Sequence, residues 1–357
     1  MAITRIGNIA STIPDDSIQN VKFSNIVQSK NIIINGDMSI AQRGTSVSSI
    51  TGNGYYTCDR FNFEITNAGT WTISQSTDVP TGQGFAKSLK LDCTTADASL
   101  GASDKFLLKQ IFEGQMLQYL KKGTANAVSL TLSFWVKSNK IGTYTNNFYD
   151  YDNNRQISKT YTIDVANTWE KKTITFEGDT TGAFDNDNIA SLELVWCLGT
   201  GTNFNSGTLQ TTWATYVAAN RLSSSNVNLA DSTANEFYIT GVQLEAGTTA
   251  SEFEFLPVDV NLERCNRYFQ QIDAVYFNLA RWNNDTGVCI TQLTFPKTMR
   301  AGPTITFPGT WFTGNGYIGT PTANNILPKC FAVTGPSIGA NEIEYAHGGI
   351  FQMDAEL

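Results

Sequence analysis

From Asn31 onward, apolar residues return at every second position in short runs closed by turn residues, a pattern that settles the kind of fold available. Successive side chains of a strand point to opposite faces, so a period of two means one dry face and one wet face. Phe61, Phe63 and Ile65 alternate with Arg60, Asn62 and Glu64; Trp71 and Ile73 alternate with Thr70, Thr72 and Ser74. Leu89, Leu91 and Cys93 repeat the pattern, as do Leu132, Phe134 and Val136, then Ile174 and Phe176. Leu192, Leu194 and Trp196 follow, and Tyr238, Thr240, Val242 and Leu244 close the series. Clusters such as Asn67-Ala68-Gly69 and Gly199-Thr200-Gly201-Thr202 supply the turns between them. Many short strands without long alternating helices or a fixed repeat predict a mainly β protein, an antiparallel jelly-roll β-sandwich rather than a βαβ fold, propeller or β-helix. The ambiguous stretch is Phe106 to Leu120, read as a strand to about Glu113 and then helical turns over Gln115 to Lys121.

The 357 residues are enough for about two domains at roughly 150 residues each. Residues 1–30 lack strand patterning and carry spaced apolar side chains, Ile3, Ile6, Ile9, Ile18, Val21 and Phe23 among them. Two readings stay open for them, a segment that docks onto another protein and a disordered tail. Residues 31–256 form the jelly-roll domain. A boundary falls near Leu256-Pro257, after which Leu262, Cys265, Tyr268 and Phe269 share one face of a short amphipathic helix. Residues 257–357 then read as a smaller C-terminal β-sandwich, with strands over 274–279, 287–295, 304–307 and 331–334.

Charge and reactive residues narrow the function. Only 16% of residues are charged, and 24 basic against 32 acidic side chains leave a net charge of -8. Without a basic cluster, a nucleic-acid backbone is not an expected partner. No apolar stretch approaches the roughly 18 residues of a membrane span, and Met1 to Ile9 lacks the apolar core of an export signal, so folding in the cytoplasm is expected. The six cysteines are scattered without metal-ligand spacing and read as buried reduced thiols. The single histidine, His347, sits in a glycine-rich stretch, which argues against triad and histidine-zinc chemistry. Carboxylate-only chemistry such as glycoside hydrolysis stays open, although sequence singles out no acid pair. The expectation is therefore no enzyme.

The run from Asn31 through Asn35-Gly36-Asp37-Met38 to Gln42-Arg43-Gly44, followed by Cys58-Asp59-Arg60-Phe61, resembles a family of bacteriophage tail-fibre and virion adhesin proteins. Phe237 to Gly247 resembles that family's closing strand; Arg264 to Phe269 and Phe295 to Thr304 resemble its C-terminal module. The first and last of the sandwich motifs, with Leu130 to Lys137 and Thr168 to Lys172 between, are also similar to carbohydrate-binding jelly-roll modules. The resemblance implies a virion structural protein, a homotrimeric short tail fibre or adhesin that binds host surface polysaccharide. It implies attachment to other virion proteins through the N-terminal segment. A head or neck decoration protein is the alternative, and a polysaccharide depolymerase the third reading. Related jelly rolls often hold a structural calcium, for which Asp37 and Glu245 would be the matching oxygens, and no other cofactor is expected.

Sugar recognition needs flat apolar faces against C–H groups and polar side chains for hydroxyls. Trp135 stands on the polar face of its strand opposite Phe134 and is one candidate platform. The stretch Tyr144 to Arg155 reads as a binding loop rich in aromatics and hydrogen-bonding groups, with Tyr144, Tyr149, Tyr151, Asp150, Asp152 and Arg155 as candidates. A second loop, Phe204 to Arg221, offers Trp213 and Tyr216. Asp150, Asp152 and Asn154 also invite a calcium reading, but the spacing departs from an EF-hand loop.

Overall fold

The structure is a computed structural model that describes residues 30–280, 289–313, 316–317, 322–335 and 343–357, with the side chains at 274–292, 312–322, 324 and 334–348 left aside. The candidate docking residues Ile3 to Phe23 therefore lie outside the described residues. Two antiparallel sheets are stacked over 46–246. In chain order their strands are β1 (Ser46–Ile50), β2 (Gly54–Tyr55), β3 (Asn62–Thr66), β4 (Thr70–Ser76), β5 (Ser88–Thr95), β6 (Lys105–Glu113) and β7 (Leu130–Ser138). They continue with β8 (Gly142–Asp150), β9 (Arg155–Ile163), β10 (Glu170–Phe176), β11 (Ala190–Thr200), β12 (Ala214–Thr215) and β13 (Glu236–Ala246). The six-stranded sheet runs β1-β4-β5-β13-β7-β10 and the seven-stranded sheet β12-β9-β8-β11-β6-β3-β2. The predicted alternation is realised: Trp71, Ile73, Leu91, Leu132 and Phe134 from one sheet meet Phe63, Phe106, Leu108, Leu194 and Trp196 from the other, all buried. Trp71 lies 4.2 Å from Phe106 and Phe134 meets Trp196 edge-on at 5.9 Å, each such side chain stabilising by roughly 1.5–3 kcal/mol through removal from water. The residues after Glu113 form two 3₁₀ turns, Gly114–Met116 and Gln118–Leu120, the left-handed Lys121 ending the second.

The motif that opens the sandwich acts structurally. Residues 31–36 run beside β13 where β5 no longer pairs with it: Ile32 N donates to Leu244 O and Val242 N donates to Gly36 O. Asn31 brackets this seam, its Nδ2 donating to Val242 O and its Oδ1 accepting from Leu244 N and Ile33 N. Gln110 grips both the amide and the carbonyl of Ile34. Gly36 is required, since a Cβ there would sit 2.0 Å from Val242 O. Asp37 accepts from Ser39 and Asn261, and Glu245 accepts from Ser251. Neither carboxylate belongs to a metal-holding group, for among the described residues no group of three or more His, Cys, Asp or Glu could hold an ion.

Beyond the sandwich come α1 (Val258–Asn266), β14 (Phe269–Ala280), β15 (Cys289–Thr294), β16 (Thr304–Thr306) and β17 (Trp311–Thr313). The series ends with β18 (Gly316–Tyr317), β19 (Thr322–Asn324), β20 (Cys330–Gly335) and β21 (Ile343–Asp354). One sheet is ordered β14-β21-β17-β18 with β16 beside β21, and a three-stranded sheet is ordered β15-β20-β19. They share a core of Trp311, Phe331, Val333, Phe351 and Met353. On α1 the buried Cys265, with Leu262 and the following Tyr268, packs on Ile34 and Ile40; Phe269 is already the first residue of β14. Cys58, Cys93, Cys197 and Cys265 are buried free thiols and Cys330 is a half-buried one. The backbone of His347 lies on β21 opposite Tyr276, and its side chain is outside the described residues. No helix among the described residues is long and apolar enough to cross a membrane.

The two parts are joined by buried charge. The Arg60 guanidinium, 1% exposed, pairs with Glu356, donates to Ile111 O and lies 3.5 Å over the Tyr268 ring. Arg43 stacks 3.6 Å over Phe269 and pairs with Asp354 at 2.9 Å and Glu356 at 3.4 Å. Arg267 takes both Glu113 oxygens, at 2.7 and 2.6 Å. Gln42 donates from its amide to Asp59 Oδ2 and to Phe269 O.

Two predictions follow from this junction. Glu356→Ala leaves the buried Arg60 charge uncompensated and should lower unfolding free energy by about 3–5 kcal/mol in denaturant titrations; Glu356→Gln should lose less. Burial pushes the Asp59 carboxyl up to about 6, against the hydrogen bonds from Gln42 and the charge of Arg43. Because this group binds its proton more tightly when folded, its contribution is fully present at low pH and is lost as pH rises through about 6. Between pH 7 and about 5, melting temperature should therefore rise on acidification, and Asp59→Asn should flatten that slope.

Candidate functional site

The outer face of the seven-stranded sheet carries the site. Antiparallel partners share a face, so the register aligns Ile111, Glu193, Tyr149 and Gln156 in one row across β6, β11, β8 and β9. A second row runs from Tyr55 on β2 through Asn62 and Lys109 to Val195 and Asn147. The segment 201–228 folds back over part of this face. Its Leu222 and Phe204 cover Leu107, Val195 and Cys197, and Ser158 Oγ donates to Arg221 O. What stays open is a pocket of about 230 Å³ lined by Glu64, Lys109, Tyr149, Tyr151, Glu193, Tyr216 and Arg221.

Three tyrosines form its wall. Tyr149 meets Tyr151 edge-on at 4.9 Å and Tyr216 at 5.0 Å. The strand β8 fixes Tyr149, the turn after Asp150 carries Tyr151, and Tyr216 N donates to Asn154 O at the end of β12. Tyr149 OH donates to Asn154 Oδ1 and Tyr151 OH to Glu193 Oε2 at 2.6 Å. Burial, then the neighbouring Glu193 charge, holds the Tyr151 hydroxyl far above its usual range, so it stays a donor.

The floor is charged but internally matched. Lys109 lies 2.7 Å from Glu64 and 3.5 Å from Glu193, and Lys105 also pairs with Glu64. Arg221 donates to Glu193 Oε1 and to Asn147 Oδ1 at 2.9 Å. Burial pushes Glu64 up, but Lys109 and Lys105 outweigh it and bring its carboxyl down to about 2, so it is ionised at neutral pH.

The structure thus brings together Tyr149, Tyr151 and Tyr216, and separates the other sequence candidates. Tyr144 is not on a loop: it lies on β8 in the core, stacked 5.5 Å from Tyr161. Asp150 is buried and bound by Lys122 at 2.6 Å, because β8 and β9 form a tight hairpin around Tyr151 to Asn154 rather than a long loop. Asp152 accepts from Asp185 N. Arg155 is spent on Asp179 and on Trp213 O. Trp213 donates to Glu177 O and packs on the core. Trp135 is half-buried on the outer face of the other sheet, between Lys171 and Thr240, away from the tyrosines. Glu64, Lys109, Glu193 and Arg221 were missed. The signal for Glu64, Lys109 and Glu193 was their place on the wet face of alternating strands; Arg221 gave none.

No family model matches the chain, and no curated protein matches it. Among solved structures, the enzymatically active domain of bacteriophage CBA120 tailspike protein 4 is similar over 61% of this chain and 21% of that chain, at 16% identity and a TM-score of 0.33. This chain therefore spans about a fifth of the tailspike's length. A putative sugar binding protein from Bacteroides thetaiotaomicron VPI-5482 is similar over 60% of this chain and 99% of its own, at 11% identity and a TM-score of 0.33. The C-terminal family 22 carbohydrate binding module of Clostridium thermocellum Xyn10B covers 63% of this chain and 99% of its own length, at 10% identity and a TM-score of 0.30. Likeness at this level leaves function to be read from the site itself.

Proposed function

We propose that this protein is a virion adhesin that binds host surface glycans without cleaving them, through the pocket of Tyr149, Tyr151 and Tyr216. The observation that carries the reading is the pocket's composition: three tyrosine rings beside carboxylates and cations already neutralised by one another. Ring faces suit the C–H surfaces of a sugar, while the spare lone pairs and N–H groups of Glu64, Lys109 and Arg221 suit its hydroxyls. Glycoside hydrolysis needs a carboxylic acid that keeps its proton near neutral pH beside a second carboxylate. Glu64 is held ionised and does not suit the role of acid, and both oxygens of Glu193 are already occupied by Arg221, Lys109 and Tyr151. The virion assignment, a short tail fibre or adhesin assembled as a homotrimer after synthesis in the host cytoplasm, is supported by the four ordered motifs. In this reading residues 1–30 attach the protein to the particle, 31–256 bind glycan and 257–357 form the second module.

Isothermal titration against a panel of bacterial surface polysaccharides should return at least one ligand, with no new reducing ends after prolonged incubation. Tyr149→Ala and Tyr216→Ala should each weaken it about tenfold, the equivalent of one lost ring contact, while melting temperature moves by less than about 4 °C. Unchanged binding would remove the pocket from consideration. Deleting residues 1–30 should leave a folded glycan-binding protein that no longer enters particles; a deletion protein that still assembles would refute the docking role.

A further inference from the structure

A second concavity, of about 520 Å³, lies where the edge of the sandwich faces the C-terminal module. Arg43, Tyr55 and Tyr56 line it from one side, Thr304, Thr306 and Gln352 from the other. It opens at strand edges: β2 ends the seven-stranded sheet, and among the described residues β16 pairs with β21 alone. The two threonines are exposed, and Tyr55 is oriented by its hydroxyl, which donates to Leu357 O at 3.1 Å.

Register ties this concavity to the tyrosine pocket. Tyr55 stands opposite Asn62, and Asn62 opposite Lys109, so residues of both sites occupy one row on one face of the sheet. With strands about 4.8 Å apart, Tyr55 and Lys109 are separated by roughly 10 Å. A glycan seated on the tyrosines and running across the strands past Asn62 reaches the second concavity within a few sugar units.

The chemistry there is that of hydroxyl recognition. Arg43 is stacked on Phe269 and paired with Asp354 and Glu356, so its charge is already answered and an acidic ligand gains little from it. Thr304, Thr306 and Gln352 supply neutral donors and acceptors beside the Tyr55 and Tyr56 rings.

We propose that the C-terminal module completes the glycan site with a second subsite, so the ligand is a chain of several sugars lying across the sheet, recognised by neutral hydroxyls rather than by charge. This rests on the tyrosine pocket being a glycan site. The module would then act in binding as well as in the fold, since neither part alone presents both subsites.

The test uses the full chain and short and long fragments, a disaccharide and a hexasaccharide, of the polysaccharide returned by the panel. Wild type should bind the hexasaccharide at least about tenfold more tightly than the disaccharide. Thr306→Trp, which fills the second concavity from an exposed strand position, should reduce hexasaccharide affinity to that of the disaccharide and leave the disaccharide unaffected. Should that variant unfold, the Thr304→Ala/Thr306→Ala pair should shrink the same length dependence about threefold or more. Equal affinity of wild type for both fragments, or length dependence that survives both variants, overturns the second subsite while leaving the tyrosine pocket in place. Loss of all binding in wild type, or indifference to Tyr149→Ala, overturns the pocket itself.

Discussion

A guanidinium removed from water holds this molecule together. Arg60 sits just before β3 in a left-handed conformation, φ 72°, with its head group enclosed by Glu356, the carbonyl of Ile111 and the ring of Tyr268. Isolating such a charge costs several kcal/mol, and the geometry recovers it only when every partner is present. Those partners come from a sandwich strand, the two-residue link between α1 and β14, and the residues just after β21. The junction is therefore complete only when both parts are in place. Arg43, which also pairs with Glu356, repeats the device with Phe269 and Asp354.

The strands were legible in sequence because burial on one face writes itself as a period of two. Phe61, Phe63 and Ile65, or Leu132, Phe134 and Val136, point to one dry layer in both readings. The stretch Tyr144 to Arg155 was illegible for the converse reason. Its Asn147 is polar yet fully buried because 201–228 lies over the outer face of β8 and β9 and supplies Arg221 as a partner, while Asn146 and Asp150 are buried on the inner face, opposite Trp196 and Leu192, with Lys122 answering Asp150. Polar composition signals exposure only when nothing covers the strand. Three of the six aromatic candidates lie together nonetheless, Tyr149 on β8, Tyr151 in the hairpin turn and Tyr216 in the covering segment.

The wet-face positions of Glu64, Lys109 and Glu193 were visible in sequence, but not that they meet, because they come from distant strands brought side by side by register. Glu64, Lys109 and Glu193 lie on β3, β6 and β11, neighbours in the sheet but far apart along the chain. Mutual pairing fixes these side chains before any ligand arrives. If the pocket binds glycan as proposed, such preorganisation reduces the entropy lost on binding.

The covering segment 201–228 has one more consequence. It delivers Tyr216 and Arg221 to the pocket, while its own apolar contacts, Leu222 and Phe204, form a patch separate from the inter-sheet layer. In the glycan-binding reading, exchanges at its exposed positions would alter the shape presented to a ligand, while Trp213 and Val227 anchor it on the inter-sheet core. Diversification is cheapest at such a place: a rigid chassis with one replaceable faceplate.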